Sequence, residues 1–285
     1  MGAWGTSLYA NDSACDIRGD YVDKLKHGKS NEDAVSELML ANQSILEDEE
    51  EAPLFWFALA DTQWNYGRLL PEVKEKALYF LSQDKELARW QESGQKQLQE
   101  WKTTLAALEQ KLTRPQPPEK KISKYRIYRC KWKLGDVFAY QFTGEYSKEK
   151  RFQGQYVIFR KVSEDSVWPG HIVPVVQFYK WIGSQIPDLT TLSKMPLLEQ
   201  NFYPSVLMHR PDTPKVYNVI LISTSPNAIP RKNLSFLGNL PGKDLLPFRG
   251  SNFSTSYQLV GWESSKFNAK IEHYIIDMYL AWKYE

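Results

Sequence analysis

The sequence predicts an α+β protein with two domains, an all-α N-terminal domain and a mostly antiparallel β domain that ends in a helix. Apolar residues recur every three or four positions up to residue 113, and the period changes to two after residue 122. Between these regions, residues 113–121 hold three prolines in nine positions. We therefore predict a helical domain over 1–113, a Pro-rich linker over 114–121 and a β-rich domain over 122–285.

Five helices are expected in the N-terminal domain, each with a recognisable start. Asn11 can cap the first helix, and Ser30 can cap the second in an arrangement that resembles a capping box with Asp33. Pro53 and Pro71 suit the first turns of the third and fourth helices. The fifth helix stops before a proline and carries one apolar stripe, formed by Leu98, Trp101, Leu105, Leu108 and Leu112.

Strands are expected in the second domain where β-branched and aromatic residues cluster between glycines and prolines. These runs are residues 135–142, 155–162, 171–179, 215–222 and 257–262. A terminal helix follows, with one apolar face formed by Phe267, Ile271, Tyr274, Ile275, Met278 and Trp282. The domain is predicted to be a twisted or barrel-like sheet that this helix closes.

Composition excludes several classes of protein without naming a function. The chain has 285 residues, 42% of them hydrophobic, and its longest apolar runs are far shorter than the roughly 20 residues of a membrane span. Its two cysteines are too few for a disulfide scaffold. Residues 1–20 contain three aspartates and no apolar signal-peptide core. We therefore expect a cytoplasmic protein.

The net charge of +2 is the sum of an acidic half and a basic half. Residues 1–121 contain 15 Lys and Arg against 21 Asp and Glu, a net charge of −6, and the remainder carries +8. Aromatic residues make up 14% of the chain, with five tryptophans in each half. Both halves therefore have enough rings for a core of their own and for an interaction surface.

Motifs that would indicate catalysis are missing from the sequence. There is no phosphate-binding or dinucleotide-binding glycine motif and no nucleophile elbow, and the four histidines have no metal-ligand spacing. Cys15 and Cys130 fit buried positions better than catalytic ones. The cluster of charged residues at 209–212 fits a solvated turn. The sequence therefore favours a non-catalytic protein, with no catalytic residue, cofactor or metal assigned.

Residues 120–133 combine seven basic residues with three aromatic ones. Basic side chains beside rings suit a phosphate backbone with unpaired bases, or an acidic protein. The alternative is a half-buried, solvated edge strand with a bulge after Ile127, where the alternation slips. The candidate partner-binding or nucleic-acid-binding residues are Lys124, Arg126, Arg129, Lys131, Trp132 and Lys133.

Five consecutive acids, Glu47, Asp48, Glu49, Glu50 and Glu51, precede the third predicted helix. Negative charge before a helix N-terminus interacts favourably with the helix dipole, which is the structural interpretation. The functional interpretation is a recognition loop for a basic protein surface, because opposite charges speed encounter.

Several stretches of the sequence resemble bacterial protein families. The opening Met-Gly-Ala-Trp-Gly-Thr, followed by Leu8-Tyr9, Asn11-Asp12 and Ala14, resembles the start of a family of uncharacterised small proteins, and residues 51–76 resemble hypothetical proteins of Gram-positive bacteria. Residues 132–140, Trp-Lys-Leu-Gly-Asp-Val-Phe-Ala-Tyr, resemble the first strand of immunity protein family 26 of polymorphic toxin systems, and residues 154–158 resemble its next strand. This resemblance implies toxin neutralisation and brings no catalytic residue.

Three functions follow from these observations. The favoured one is a cytoplasmic binding protein that neutralises a toxin, or acts in phage conflict, by covering a partner protein's surface; abundant Trp and Tyr suit such an interface. The second is a nucleic-acid-binding module that uses residues 120–133. The third is a small-molecule binder or enzyme with a pocket in the β domain, lined by Tyr140, Phe142, Tyr156 and Phe159. No membrane partner is expected.

Overall fold

The computed structural model describes residues 4–83, 90, 94–200, 215–216, 218–241, 257–262 and 270–284. The chain forms two compact units, Met1–Tyr125 and Arg126–Glu285. The first unit is helical, and the second is built on a six-stranded, mostly antiparallel sheet with a C-terminal helix. The predicted α+β fold class is therefore confirmed. The predicted core position Phe267 lies outside the described residues.

The helices of the first unit begin where the sequence places their caps. The side chain of Asn11 accepts a hydrogen bond from the N–H of Ala14 (3.3 Å), and Ser30 Oγ accepts one from the N–H of Asp33 (3.0 Å). A short helix before the acidic run is an addition to the predicted set. The helices are α1 Asp12–Lys26, α2 Asn31–Ala41, α3 Gln43–Glu47, α4 Ala52–Asn65, α5 Pro71–Leu81 and α6 Gln95–Thr113.

Helix α4 is the centre of the helical core. Its residues from Ala52 to Gln63 are all buried, as expected for a helix that is apolar on every side. Around it pack side chains from the predicted apolar faces of α1, α2, α5 and α6. Examples are Tyr21, Leu38, Val73 and Leu112, each fully buried.

The Pro-rich segment lies against the helical unit. The N–H of Lys120 donates to the carbonyl of Tyr66 (2.9 Å), and the N–H of Tyr125 donates to that of Lys26 (2.8 Å). Gly67 permits the close approach, because it has φ +66° and a Cβ there would lie 2.4 Å from the carbonyl oxygen of Pro117. Residues 117–125 are thus part of the first unit's packing.

The sheet of the second unit has the strand order β7-β1-β2-β3-β6-β8, and among its described strands β6 and β8 are the parallel pair. Its longest element is the β2–β3 hairpin. In the described residues the sheet is open, with β7 and β8 at its edges. The strands are β1 Asp136–Gln141, β2 Tyr156–Val167, β3 His171–Gly183, β6 Asn218–Ile222, β7 Leu234–Asn239 and β8 Tyr257–Gly261; a separate pair consists of β4 Glu199–Gln200 and β5 Lys215–Val216.

In the described part of the second unit, three α-helices accompany the sheet: α7 Glu145–Glu149, α8 Leu189–Lys194 and α9 Ile271–Tyr284. One face of the sheet packs beneath α9 through large aromatic rings, and the other face contacts α8 through Leu192. Tyr140, Phe142 and Phe159 are fully buried in the face beneath α9, whereas Tyr156 packs on the opposite face. The four rings considered as a pocket lining are therefore core residues on two sides of the sheet.

None of the helices in the described part of the chain combines the length and the apolar character that crossing a bilayer requires.

Candidate binding surface

Residues 128–130 lie beside the start of β3. They occupy the edge of β3 opposite to the edge that pairs with β2. The N–H of Cys130 donates to the carbonyl of Ile172 (2.8 Å), and the N–H of Ile172 donates to that of Tyr128 (2.9 Å). Arg129 and Ile172 form a parallel bridge. The basic segment is thus held in an extended conformation by the sheet, as the edge-strand interpretation expects.

Burial alternates along this extended segment. Tyr128 and Cys130 are buried, whereas Arg129, Lys131 and Lys133 are exposed. Because side chains of a strand point alternately to opposite sides, these three cations form a row on one side, which we call the basic row. The alternation begins only at Tyr128, since both preceding residues are exposed.

Three candidates of the basic segment, Lys124, Arg126 and Trp132, do not belong to this row; Arg126 is exposed and precedes the alternation. The ring of Trp132 is half-buried and lies against the rings of Phe138 (centroid distance 4.3 Å) and Phe159 (5.9 Å). It contributes to the core, so the structure separates it from the cations with which the sequence grouped it. Lys124 is exposed but belongs to the helical unit.

The cations near the basic row form no ion pair with an acidic side chain in the described part of the chain. Among the described residues, Arg126, Arg129, Lys131 and Lys133 form no ion pair, whereas other cations of the same chain do, for example Lys111 with Asp61 and Lys180 with Glu199. Four like charges within eight residues repel one another, and an anionic partner would relieve that repulsion.

The backbone of the basic row is fixed at its C-terminal end by buried polar groups. Lys161, whose side chain is only 1% exposed, donates to the carbonyl of Trp132 (2.6 Å) and pairs with Glu164 (2.5 Å). Asp136 Oδ2 accepts a hydrogen bond from the N–H of Lys133 (2.7 Å). The exposed cations therefore project from an ordered backbone, which reduces the entropy lost on binding.

Cys130 lies on the buried side of the basic row. Burial raises the pKa of its thiol, so the thiol stays protonated and is a poor nucleophile. The other cysteine, Cys15, is half-exposed and donates through Sγ to the carbonyl of Tyr9 (3.2 Å). Cys130 is therefore buried as predicted, whereas Cys15 is not fully buried as the sequence interpretation expected.

His171 anchors the N-terminal end of the row through a hydrogen bond that requires a neutral ring. The N–H of Tyr128 donates to His171 Nδ1 (2.9 Å), and burial lowers the pKa of His171. The folded state therefore binds fewer protons than the unfolded state below the ordinary histidine pKa of about 6.5. The stability that His171 contributes is complete above that value and is lost as the pH falls below it.

We expect the free energy of unfolding of the second unit to decrease between pH 7.5 and pH 5 more in the wild type than in a His171→Gln variant, whose amide does not titrate. Urea unfolding of both proteins at several pH values measures this difference. Parallel pH profiles for the two proteins would contradict the role of His171.

The tip of the β2–β3 hairpin presents a tryptophan that the sequence interpretation missed. The N–H of Gly170 donates to the carbonyl of Val167 (2.8 Å) and closes the turn that carries Trp168, whose side chain is 77% exposed. The sequence signal was present, because a Trp directly before Pro-Gly is typical of a turn and not of a strand interior.

The acidic run begins with the last residue of α3, Glu47, and continues to Glu51, directly before α4. Asp48 Oδ1 accepts hydrogen bonds from the N–H groups of Glu50 (2.8 Å) and Glu51 (3.2 Å), so this residue orders the turn. Glu47 accepts a hydrogen bond from Gln43, and Glu51 is half-buried directly before α4. Glu49 and Glu50 are exposed. Part of the run thus has the structural role of a helix approach.

Other candidate sites are not assembled in the described residues. No group of three or more His, Cys, Asp or Glu side chains there is arranged to hold a metal ion. The charged cluster at 209–212 lies outside the described residues.

Searches with protein-family models, curated proteins and solved structures gave no match to this chain.

Proposed function

We propose that this chain is a cytoplasmic, non-catalytic binding protein that neutralises a partner protein, such as a toxin, by covering part of its surface. The observation that carries the proposal is the basic row: Arg129, Lys131 and Lys133 are exposed on one side of an ordered segment and have no described counter-charge. Such a surface attracts an anionic partner and orients it as it approaches.

Two further observations support an interface over a catalytic centre. The polar side chains beneath the row, Lys161, Glu164 and Asp136, are engaged in hydrogen bonds that hold the row's own backbone. The resemblance of residues 132–140 to an immunity-protein strand covers the C-terminal end of the same row. A protein that works by occlusion needs an ordered, charged surface of this kind and no reactive group.

The test is co-expression of the tagged full-length chain with the proteins encoded beside it, followed by purification in 0.15 M salt. We expect one neighbouring protein to co-purify with the wild type. The triple charge reversal of Arg129, Lys131 and Lys133 to Glu is expected to slow association at least 10-fold, since surface charges act mainly on the association rate. Surface plasmon resonance at two salt concentrations measures this effect.

Lys194→Glu, at the exposed end of α8, is the matched control and should leave association unchanged. Circular dichroism of both variants confirms folding. Failure of every neighbouring protein to co-purify with the wild type would count against the proposal. Equal association rates for the wild type and the triple variant would show that the basic row is not the interface.

A nucleic-acid-binding function is the second candidate, because the same row of cations could contact phosphates. It predicts that a labelled (dT)20 oligonucleotide binds in 50 mM salt, that its affinity falls steeply with added salt, and that the triple reversal abolishes binding. Binding of (dT)20 without any protein partner would favour this candidate over neutralisation of a protein.

A further inference from the structure

We propose that the tip of the β2–β3 hairpin, with Trp168 at its centre, is the anchor that this chain inserts into an apolar cleft of an acidic partner protein. The inference rests on the proposed function and specifies the chemistry of the partner: an apolar cleft bordered by carboxylates. The inference adds the apolar side chain of Trp168 to an interface that the charges alone would limit to the basic row.

The hairpin tip and the basic row belong to one continuous part of the second unit. The bridge between Arg129 and Ile172 places the row beside the first residues of β3, four positions after Trp168. Because the bridge is parallel, the chain before Arg129 runs back toward the hairpin turn, and the chain after it runs toward the centre of the sheet. Arg126 and Ile127 therefore lie on the side of the turn.

The exposed side chains of this region are of two kinds. Trp168 is 77% exposed and Ile127 is 45% exposed, whereas Arg126 and Arg129 are exposed cations with no described ion pair. Large exposed apolar side chains together with unpaired cations are typical of binding sites, and Trp and Arg are the residues most enriched in binding hot spots.

The acids near the tip do not neutralise these cations. Glu164 is paired with the buried Lys161. Asp165 accepts a hydrogen bond from the N–H of Ser166 (2.7 Å) and forms no described ion pair with Arg126 or Arg129. The tip is therefore apolar and positively charged, and its complement is an apolar cleft with a negative border.

The anchor is held in place before binding. The antiparallel pairing of β2 and β3 continues to the pair Val167 and His171, directly at the turn. The segment that carries Arg129 adds hydrogen bonds to Ile172 on the other edge of β3. An ordered hairpin that presents a large ring loses little conformational entropy when the ring is buried.

The test measures the dissociation constant between the full-length chain and the neighbouring protein that co-purifies with it, by isothermal titration calorimetry. Trp168→Ala is expected to weaken binding about 30-fold, as for a central tryptophan hot spot, and Trp168→Phe should recover most of the affinity. Trp282→Ala is the matched control, because Trp282 is an exposed ring on α9 of the same unit and should change the affinity less than 3-fold. Poly-L-glutamate should compete for the surface, whereas (dT)20 at the same charge concentration should not.

Each outcome decides between the interpretations. If the neighbouring protein binds the wild type and the Trp168→Ala variant equally well, the anchor is wrong although the proposed function stands. If no neighbouring protein binds at all, the proposed function fails and the anchor fails with it. Displacement of the partner by (dT)20 but not by poly-L-glutamate would assign the tip to nucleic acid and overturn the inference. A concentration-dependent self-association that Trp168→Ala abolishes would assign it to a second copy of the chain and overturn the inference as well.

Discussion

Replacement of Glu272 by Ala is expected to destabilise the second unit by about 3–5 kcal/mol. The side chain of Glu272 is fully buried in the first turn of α9. Its carboxylate accepts hydrogen bonds from the N–H groups of Thr143 (2.7 Å) and Gly144 (3.0 Å) and from the hydroxyl of Tyr140 (3.2 Å). Alanine would remove this shared acceptor from all three donors.

The position of Glu272 explains why this single residue has such a large effect. Its carboxylate joins the start of α9 to the end of β1 and to the residues before α7, so it fixes the helix that covers the aromatic face of the sheet. Loss of the carboxylate therefore weakens the attachment of α9, whose Ile271, Ile275 and Ile276 are buried against that face.

Hydrogen exchange of the full-length protein, read by mass spectrometry, separates the two units. Peptides from β1 and α9 should lose protection in Glu272→Ala, whereas peptides from α4 in the helical unit should not change. Glu272→Gln should be intermediate, because the amide keeps one acceptor oxygen but places an NH₂ group among donors. Glu149→Ala, an exposed position on α7, should stay within about 0.5 kcal/mol of the wild type. Unchanged protection of α9 in Glu272→Ala would contradict the role of the carboxylate.

The fold class could be predicted from the sequence because its signals are local. A helix start is marked by residues that act only on the next three or four positions of the chain. Such residues here are Asn11, Ser30, Pro53 and Pro71, and each lies at the start of a helix in the structure. The change of period after the Pro-rich segment depends only on which side chains face a core. The order of the strands and the parallel β6–β8 pair could not be predicted, because distant segments decide them.

The buried polar groups show where such local signals end. Lys161 lies in a strand and Glu272 in a helix, and their burial depends on partners outside these elements. Lys161 donates to the carbonyl of Trp132, and Glu272 accepts from Thr143 and Gly144. The residues of the basic row were singled out because residues 120–133 combine seven basic residues with three aromatic ones, which is a local property of the sequence. Trp132 was grouped with it because sequence adjacency does not show to which side of a strand a ring turns until the register is known.

A second large effect is expected in the helical unit, where Asp61→Ala should cost about 3 kcal/mol. Asp61 is only 7% exposed, and its carboxylate accepts hydrogen bonds from the hydroxyl of Tyr9 (2.8 Å), from Lys111 Nζ (2.6 Å) and from Asn65 Nδ2 (2.8 Å). Burial, and secondarily the charge of Asp61, raise the pKa of Tyr9, so the hydroxyl remains a donor. The network joins α4 and α6 to the segment before α1.

A double-mutant cycle between Asp61 and Lys111 tests whether the loss comes from this pair. Lys111→Met keeps an apolar chain over the ring of Trp64, which Lys111 Nζ approaches to 4.9 Å, and should cost less than Asp61→Ala because the carboxylate retains Tyr9 and Asn65. The double variant should lose about 1–2 kcal/mol less free energy of unfolding than the two single variants lose together. The reason is that Asp61→Ala alone leaves the Lys111 ammonium group without its carboxylate, whereas the double variant has no ammonium group there. Urea unfolding, followed by hydrogen exchange of peptides from α4 and α6, measures the free energy of unfolding of each variant. Strict additivity would mean that Lys111 is adequately solvated on its own and that the cost of losing Asp61 arises from Tyr9 and Asn65 instead.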